Sequence, residues 1–168
     1  MNKSLVLTGM MGVGKSTIGK LIAKRLKIKF IDVDKIIEKK EKKTIKRIFE
    51  DHGEKYFRKL EEKTTLKILK NSKSVIALGG GAFINNEIRQ KVLNSCVSVW
   101  LKVDLDKLIK RYNKNDRRPL LDKKKLNSDV KRIYQSRKKI YSLANFKINC
   151  DNIDKIKIVQ KILNFYEN

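Results

Sequence analysis

The residues best equipped to do chemistry lie near the start of the chain. "GMMGVGKS", Gly9 to Ser16, fits the pattern G-x-x-x-x-G-K-[ST]. It follows the apolar run LVLT and opens a helical pattern, the setting such a loop needs. Glycines let successive backbone N–H groups close round phosphate oxygens at a helix N-terminus, and Lys15 adds a cation. The Ser16 hydroxyl can meet Mg²⁺. A loop used only for tight turning is the alternative, and the strand before it and the helix after it argue against that. The expected ligand is a nucleoside triphosphate.

Sixteen residues after Ser16 comes Asp32, within "FIDVD". Side chains two apart on a strand point the same way, so Asp32 and Asp34 can face one pocket. Alone, such a pair reads equally well as a solvated strand end. Beside a phosphate loop the balance changes, because Mg²⁺ takes oxygen ligands and few from protein. The usual second nucleotide motif, an apolar run closing on Asp, is missing, so Asp32 is the available magnesium acid. "GGG", Gly79 to Gly81, follows the apolar SVIAL and permits close approach of a ligand, or else a flexible turn.

The net charge of +24 comes from 33 Lys and 9 Arg against 18 acids. The lysines are spread along the whole chain, as solvated helix faces would be. A nucleic-acid binder would interleave a basic stripe with exposed aromatics, whereas aromatics are only 7% here and sit mostly in apolar runs. Against so much Lys, the few arginines are informative. They should remain where a planar fork must grip a carboxylate or phosphate.

Short apolar runs alternate with longer helical patterns. Strands are predicted at 4–8, 29–33, 74–78, 96–101 and 146–149. Helices are predicted at 15–26, 35–40, 44–51, 54–69, 86–93, 105–111, 128–144 and 153–166. That rhythm predicts an α/β fold: a five-stranded parallel sheet flanked by helices on both faces, in one domain over residues 1–168. Ligands of such sheets bind at the carboxyl ends of the strands. The polar stretch "NKNDRRPLLDKKKLNSD" holds the only proline, Pro119, and predicts a mobile lid over about 113–127. Cys96 and Cys150 sit beside apolar strand residues, as reduced thiols of a cytosolic protein would. No run approaches the roughly 18 apolar residues of a membrane span. The opening apolar run is broken by glycines, so a targeting signal is rejected and a cytoplasmic location is expected.

The ordered set GxxGxGKS, DVD, "IFEDHGEKYFRKLE", "GGG", "RPLL" and "RKKIY" resembles shikimate kinases, small P-loop kinases of the nucleoside monophosphate kinase type. The resemblance runs from about residue 4 to 150. It implies ATP-dependent phosphorylation of the 3-hydroxyl of shikimate, a step toward chorismate and aromatic amino acids. By this likeness Gly12, Val13, Gly14, Lys15, Ser16 and Thr17 hold the ATP phosphates, and Ser16 with Asp32, through water, holds Mg²⁺. Asp34 contacts substrate hydroxyls as base or orienting group. Arg58 and Arg137 clamp the substrate carboxylate, and Gly80 offers its backbone to the substrate ring. Arg118 closes on the phosphates, and Arg111 lies against adenine. Lys15, Asp34 and Arg118 form the catalytic set, and the helices over about 35–70 bind substrate.

Glu61, three residues after Arg58 on one predicted helix, can orient it. The chain departs from the family at "CDNIDK", which has no arginine on the adenine side, and at Asn145, where an acid is common. The expected partners are ATP and shikimate, with a monomer that binds neither nucleic acid nor membrane. The rivals are a gluconate or nucleoside monophosphate kinase and, further off, a nucleic-acid-binding protein.

Overall fold

The computed structural model describes residues 3–70, 73–113 and 126–167. Its five strands are β1 (Ser4–Thr8), β2 (Lys29–Asp32), β3 (Ser74–Ala77), β4 (Cys96–Lys102) and β5 (Phe146–Asn149). Burial decides where each one sits. Leu5 to Thr8 of β1, all of β3 and Cys96 to Leu101 of β4 are buried. A strand covered on both faces must be apolar nearly throughout, and these three sequences are. "KFID" and "FKIN" bury only Ile31 and Ile148, and they form the two edges. The order is β2-β3-β1-β4-β5, parallel throughout, with Leu5 opposite both Val75 and Val97. This is the five-stranded parallel sheet that the sequence predicts.

Parallel neighbours need crossovers. The helices are α1 (Lys15–Leu26), α2 (Val33–Glu41), α3 (Ile45–Ile68), α4 (Asn86–Ser95), α5 (Leu105–Asn113), α6 (Leu126–Tyr141) and α7 (Lys155–Glu167). They flank the sheet. The chain runs from β1 through β2 and β3 on one side, then crosses to β4 and β5 on the other. That reversal opens a crevice at the carboxyl ends of β1 and its neighbours. The core beneath is closed by Trp100 of β4 and Tyr141 of α6, with ring centroids 6.0 Å apart. Ser98, fully buried in β4, is satisfied by Asn145: its N–H and hydroxyl donate to Asn145 Oδ1 at 2.9 and 2.7 Å.

Most boundaries lie within three residues of expectation, and two differences bear on the site. β2 ends at Asp32, not Val33, and Asp32 is the N-cap of α2, accepting from the Lys35 N–H at 3.3 Å. Asp34 therefore sits in the first turn of a helix, not on the pleat of a strand. The helices expected at 44–51 and 54–69 join as α3, bent where Gly53 adopts φ 77° and ψ 173°. His52 lies just before that bend.

The expected lid lies largely outside the described residues. α5 ends at Asn113 and α6 begins at Leu126. Cys96 is buried, Cys150 is half-buried, and both are free thiols. No helix among the described residues is long and apolar enough to cross a membrane.

Candidate active site

The loop between β1 and α1 is shaped by backbone that only glycine adopts easily. Gly12 and Gly14 have φ of 71° and 101°, and Gly14 is the N-cap of α1. The loop carbonyls are then taken up one after another. Lys15 Nζ donates to Gly9 O and Met10 O, each at 2.9 Å. The Tyr112 hydroxyl donates to Met11 O at 2.6 Å, Arg111 Nη1 to Gly12 O at 3.4 Å, and the Ile18 N–H to Gly14 O at 2.9 Å. With these acceptors engaged, the loop offers an anion its N–H groups and the positive end of α1.

A cleft of about 630 Å³ opens beside this loop, lined among others by Gly12, Lys15, Ser16, Asp32, Asp34 and Gly80. Ser16 Oγ donates to Asp32 Oδ2 at 2.6 Å. The two acids of "DVD" do share one cleft, but the turn from strand to helix brings them there. Burial, then the nearby Glu61, pushes the Asp34 carboxyl up to about 6, against the pull of Lys15.

The glycines at the end of β3 gather the rest. A β-carbon on Gly79 would stand 2.4 Å from Glu61 Oε1 and 2.7 Å from Asp34 Oδ1, and one on Gly81 would stand 2.5 Å from Arg58 Nη1. Gly80 O accepts from Arg137 Nη1 at 3.1 Å and from the Tyr141 hydroxyl. One strip of three glycines thus touches Asp34, Glu61, Arg58 and Arg137. Side chains at these positions would collide with the groups that gather there.

Glu61 orients Arg58 as the i, i+3 spacing suggests, accepting from Nη1 at 2.7 Å, and Glu54 accepts from Nε and Nη2 at 3.2 and 3.1 Å. Burial works against the Arg58 charge, but Glu61 and Glu54 outweigh it and hold the guanidinium above its ordinary value. Burial likewise pushes Glu61 up, with Arg58 pulling it back.

Arg111 stands between this cleft and a second one of about 660 Å³, and it lines both, as do Gly14 and Thr17. The second cleft is mainly apolar, with Val13, Ile18, Ile153, Ile156 and Ile158 in its walls. Lys155, from the stretch that lacks arginine, also lines it. Arg118 and its neighbour Arg117 lie outside the described residues. Sequence reading missed Glu54, Tyr112 and Tyr141. Glu54 stands at i−4 from Arg58, and Tyr141 at i+4 from Arg137, so both spacings were visible.

A family model described as shikimate kinase matches residues 11–167. The chain belongs to the shikimate kinase family. The shikimate kinase of Bartonella henselae is 43% identical over 162 residues, 96% of this chain and 77% of the relative. That of Sulfurihydrogenibium is also 43% identical, covering 96% of each chain. Among solved structures, a shikimate kinase from Acinetobacter baumannii in complex with shikimate superposes with a TM-score of 0.93 at 29% identity, covering 98% of this chain and 92% of the other. A gluconokinase from Sinorhizobium meliloti, with a TM-score of 0.59 at 14% identity, shares the fold alone. The kinase described here is a phosphotransferase that phosphorylates shikimate with ATP, the reaction its sequence predicts.

Proposed function

We propose that the cleft carries out the transfer with a division of labour between its two walls. The phosphate loop, Gly12 to Thr17, holds the ATP phosphates, with Lys15 as the cation beside them. Arg111 and the apolar second cleft take the adenine, where a guanidinium plane can stack on a base. On the opposite wall, Arg58 and Arg137 grip the substrate carboxylate with planar forks. Gly80 presents its backbone to the substrate ring. Asp34 accepts the proton of, or orients, the attacking 3-hydroxyl. Its raised pKa suits an acid that exchanges a proton near neutral pH.

The hydroxyl of Ser16 and the carboxylate of Asp32, already in contact, form an oxygen-rich corner that fits Mg²⁺, which keeps most of its waters and takes one or two protein ligands. Among the described residues there is no cluster of three or more His, Cys, Asp or Glu side chains that could hold a metal ion. When bound, Mg²⁺ would neutralise charge on the phosphates, through water at Asp32. Phosphoryl transfer needs positioning and charge neutralisation above all. Arg118, from the proposed lid over about 113–127, would complete the neutralisation and exclude water. The reading extends to a monomer in the cytoplasm that engages neither nucleic acid nor membrane.

The observation that carries this reading is the convergence of Asp34, Glu61, Arg58 and Arg137 on Gly79 to Gly81, across the cleft from Lys15 and Ser16. ATP consumption with shikimate, with gluconate, with nucleoside monophosphates and with no acceptor tests it. Turnover with shikimate alone is expected. Turnover with gluconate or a monophosphate in its place would overturn the assignment of the second wall.

A further inference from the structure

The two walls of the cleft touch. The β-carbon position of Gly80 lies 3.0 Å from the Met11 N–H nitrogen, so the phosphate loop and the glycine strip are in van der Waals contact. A shift of either backbone moves the donor phosphate relative to the acceptor hydroxyl, and a misplacement of about 1 Å can cost on the order of a hundredfold in rate. What fixes the two backbones is therefore a question about the reaction.

Their carbonyls answer it. On the strip, Gly79 O and Gly81 O are taken locally by the N–H groups of Ala82 and Ile84 at 3.1 and 3.0 Å. Gly80 O is different: its partners, Arg137 and the Tyr141 hydroxyl, come from α6, 57 and 61 residues further along the chain. On the loop, Met11 O is held by the Tyr112 hydroxyl of α5, 101 residues away. Both tyrosines are buried, so neither hydroxyl has bulk water as an easy substitute. Tyr141 is further confined by Trp100, and its hydroxyl lies 3.9 Å from Met10 Sδ in the phosphate loop.

We propose that Tyr112 and Tyr141 are positioning residues for the transfer: Tyr112 fixes the phosphate loop through the Met11 carbonyl, and Tyr141 fixes the acceptor strip through the Gly80 carbonyl. The assignment rests on the reading of the two walls given above. A merely structural role, in which each hydroxyl satisfies whatever carbonyl lies nearest in the core, would lower stability without distinguishing the substrates.

Tyr112→Phe and Tyr141→Phe each delete one oxygen and keep the buried ring. Steady-state kinetics with each substrate varied in turn should give a crossed result. Tyr112→Phe raises the KM for ATP about fivefold, the scale of one lost hydrogen bond, and leaves the KM for shikimate within about twofold. Tyr141→Phe raises the KM for shikimate and spares that for ATP, and both variants lower kcat, because donor and acceptor are then less well aligned. If either variant moves both KM values together, or neither variant moves its own, the proposal is overturned. Should either phenylalanine variant fail to fold, 3-fluorotyrosine at that position carries the test, since it alters the donor strength of the hydroxyl at nearly constant size. It must shift the same single KM, and no shift overturns the proposal. The parent enzyme separates the two levels of argument. A parent without shikimate-dependent ATP consumption brings down the reading of the walls, whereas an active parent with uncrossed variants brings down only the tyrosine assignment.

Discussion

The free carboxylate oxygens of Asp34 and Glu61 converge on Gly79, each less than 3 Å from where its β-carbon would stand, at 2.7 and 2.4 Å. Both oxygens are buried and have no hydrogen-bond partner among the described residues. A buried acceptor left unmade costs about 1–3 kcal/mol, and in the proposed site a substrate hydroxyl would be the donor that offsets it. Gly79→Ala must push at least one carboxylate aside. The KM for shikimate should rise about tenfold or more while that for ATP holds, and overpacking should cost about 1–3 kcal/mol of stability. Kinetics and urea unfolding check the two effects. An unchanged KM for shikimate would mean that these oxygens do not define the acceptor site.

Asp34 should also show a conflict between function and stability. Burial, with Glu61 beside it, raises its carboxyl from 3.8 to about 6 in the ligand-free enzyme. An acid with a raised folded pKa binds its proton more tightly when folded. The penalty on folding therefore grows as pH rises from about 4 to about 6 and is complete above that. The shift corresponds to at most about 3 kcal/mol. Asp34→Asn should be more stable than the parent by about 1–3 kcal/mol at about pH 7.5, and the gap should close toward about pH 4. Its kcat should fall about a hundredfold or more. Thermal unfolding in EDTA across that pH range measures the gap, and a gap independent of pH would remove the buried charge as its cause.

Much of this was legible in the chain because burial writes itself into sequence. "SLVLT", "SVIA" and "CVSVW" are nearly unbroken because they lie inside the sheet, and "KFID" and "FKIN" each carry two polar residues in four because they edge it. The site residues of "DVD" were found on the wrong geometry. An Asp-x-Asp after an apolar run fits a strand end, but Asp32 followed by "VDKIIEKKE" is also an N-cap before a helix, and the structure takes that form. The partners of the tyrosine hydroxyls could not be read, even though the spacing of Tyr141 from Arg137 was visible, because each hydroxyl binds a backbone carbonyl far along the chain, and carbonyls leave no trace in side-chain pattern. The resemblance implies that Gly80 offers its backbone to substrate, yet nothing local in the sequence shows that its carbonyl is held from α6.

The arginines give a prediction specific to one functional group. Arg58 is held by Glu54 and Glu61, and Arg137 by the Gly80 carbonyl, so both guanidiniums, proposed above to grip the substrate carboxylate, are held in place by the protein itself. Arg137→Ala and Arg58→Lys should raise the KM for shikimate about ten- to a hundredfold, the scale of a charge-assisted hydrogen bond, with a smaller effect on kcat. Tested on the shikimate methyl ester, which lacks the carboxylate charge, Arg58→Lys should differ little from the parent, and Arg137→Ala should lose much less than on the acid, keeping only the loss of its contact with the Gly80 carbonyl. If they lose as much on the ester as on the acid, the forks do not read the carboxylate.

Asp32 has two jobs that mutation can separate. Its Oδ2 accepts from Ser16, in the proposed metal corner, while its Oδ1 accepts from the Lys35 N–H and caps α2. Asparagine caps a helix about as well as aspartate, so Asp32→Asn should stay within a few tenths of a kcal/mol of parental stability, whereas Asp32→Ala should lose about 1 kcal/mol. Both should demand more Mg²⁺, because each removes the charge that draws the hydrated ion: the Mg²⁺ concentration for half-maximal rate should rise about tenfold. Titrating activity with Mg²⁺ after EDTA treatment, alongside thermal unfolding of the three proteins, gives both readings. If Asp32→Asn keeps the parental Mg²⁺ requirement, the carboxylate serves the helix alone, and the metal must find its protein oxygen at Ser16 without it.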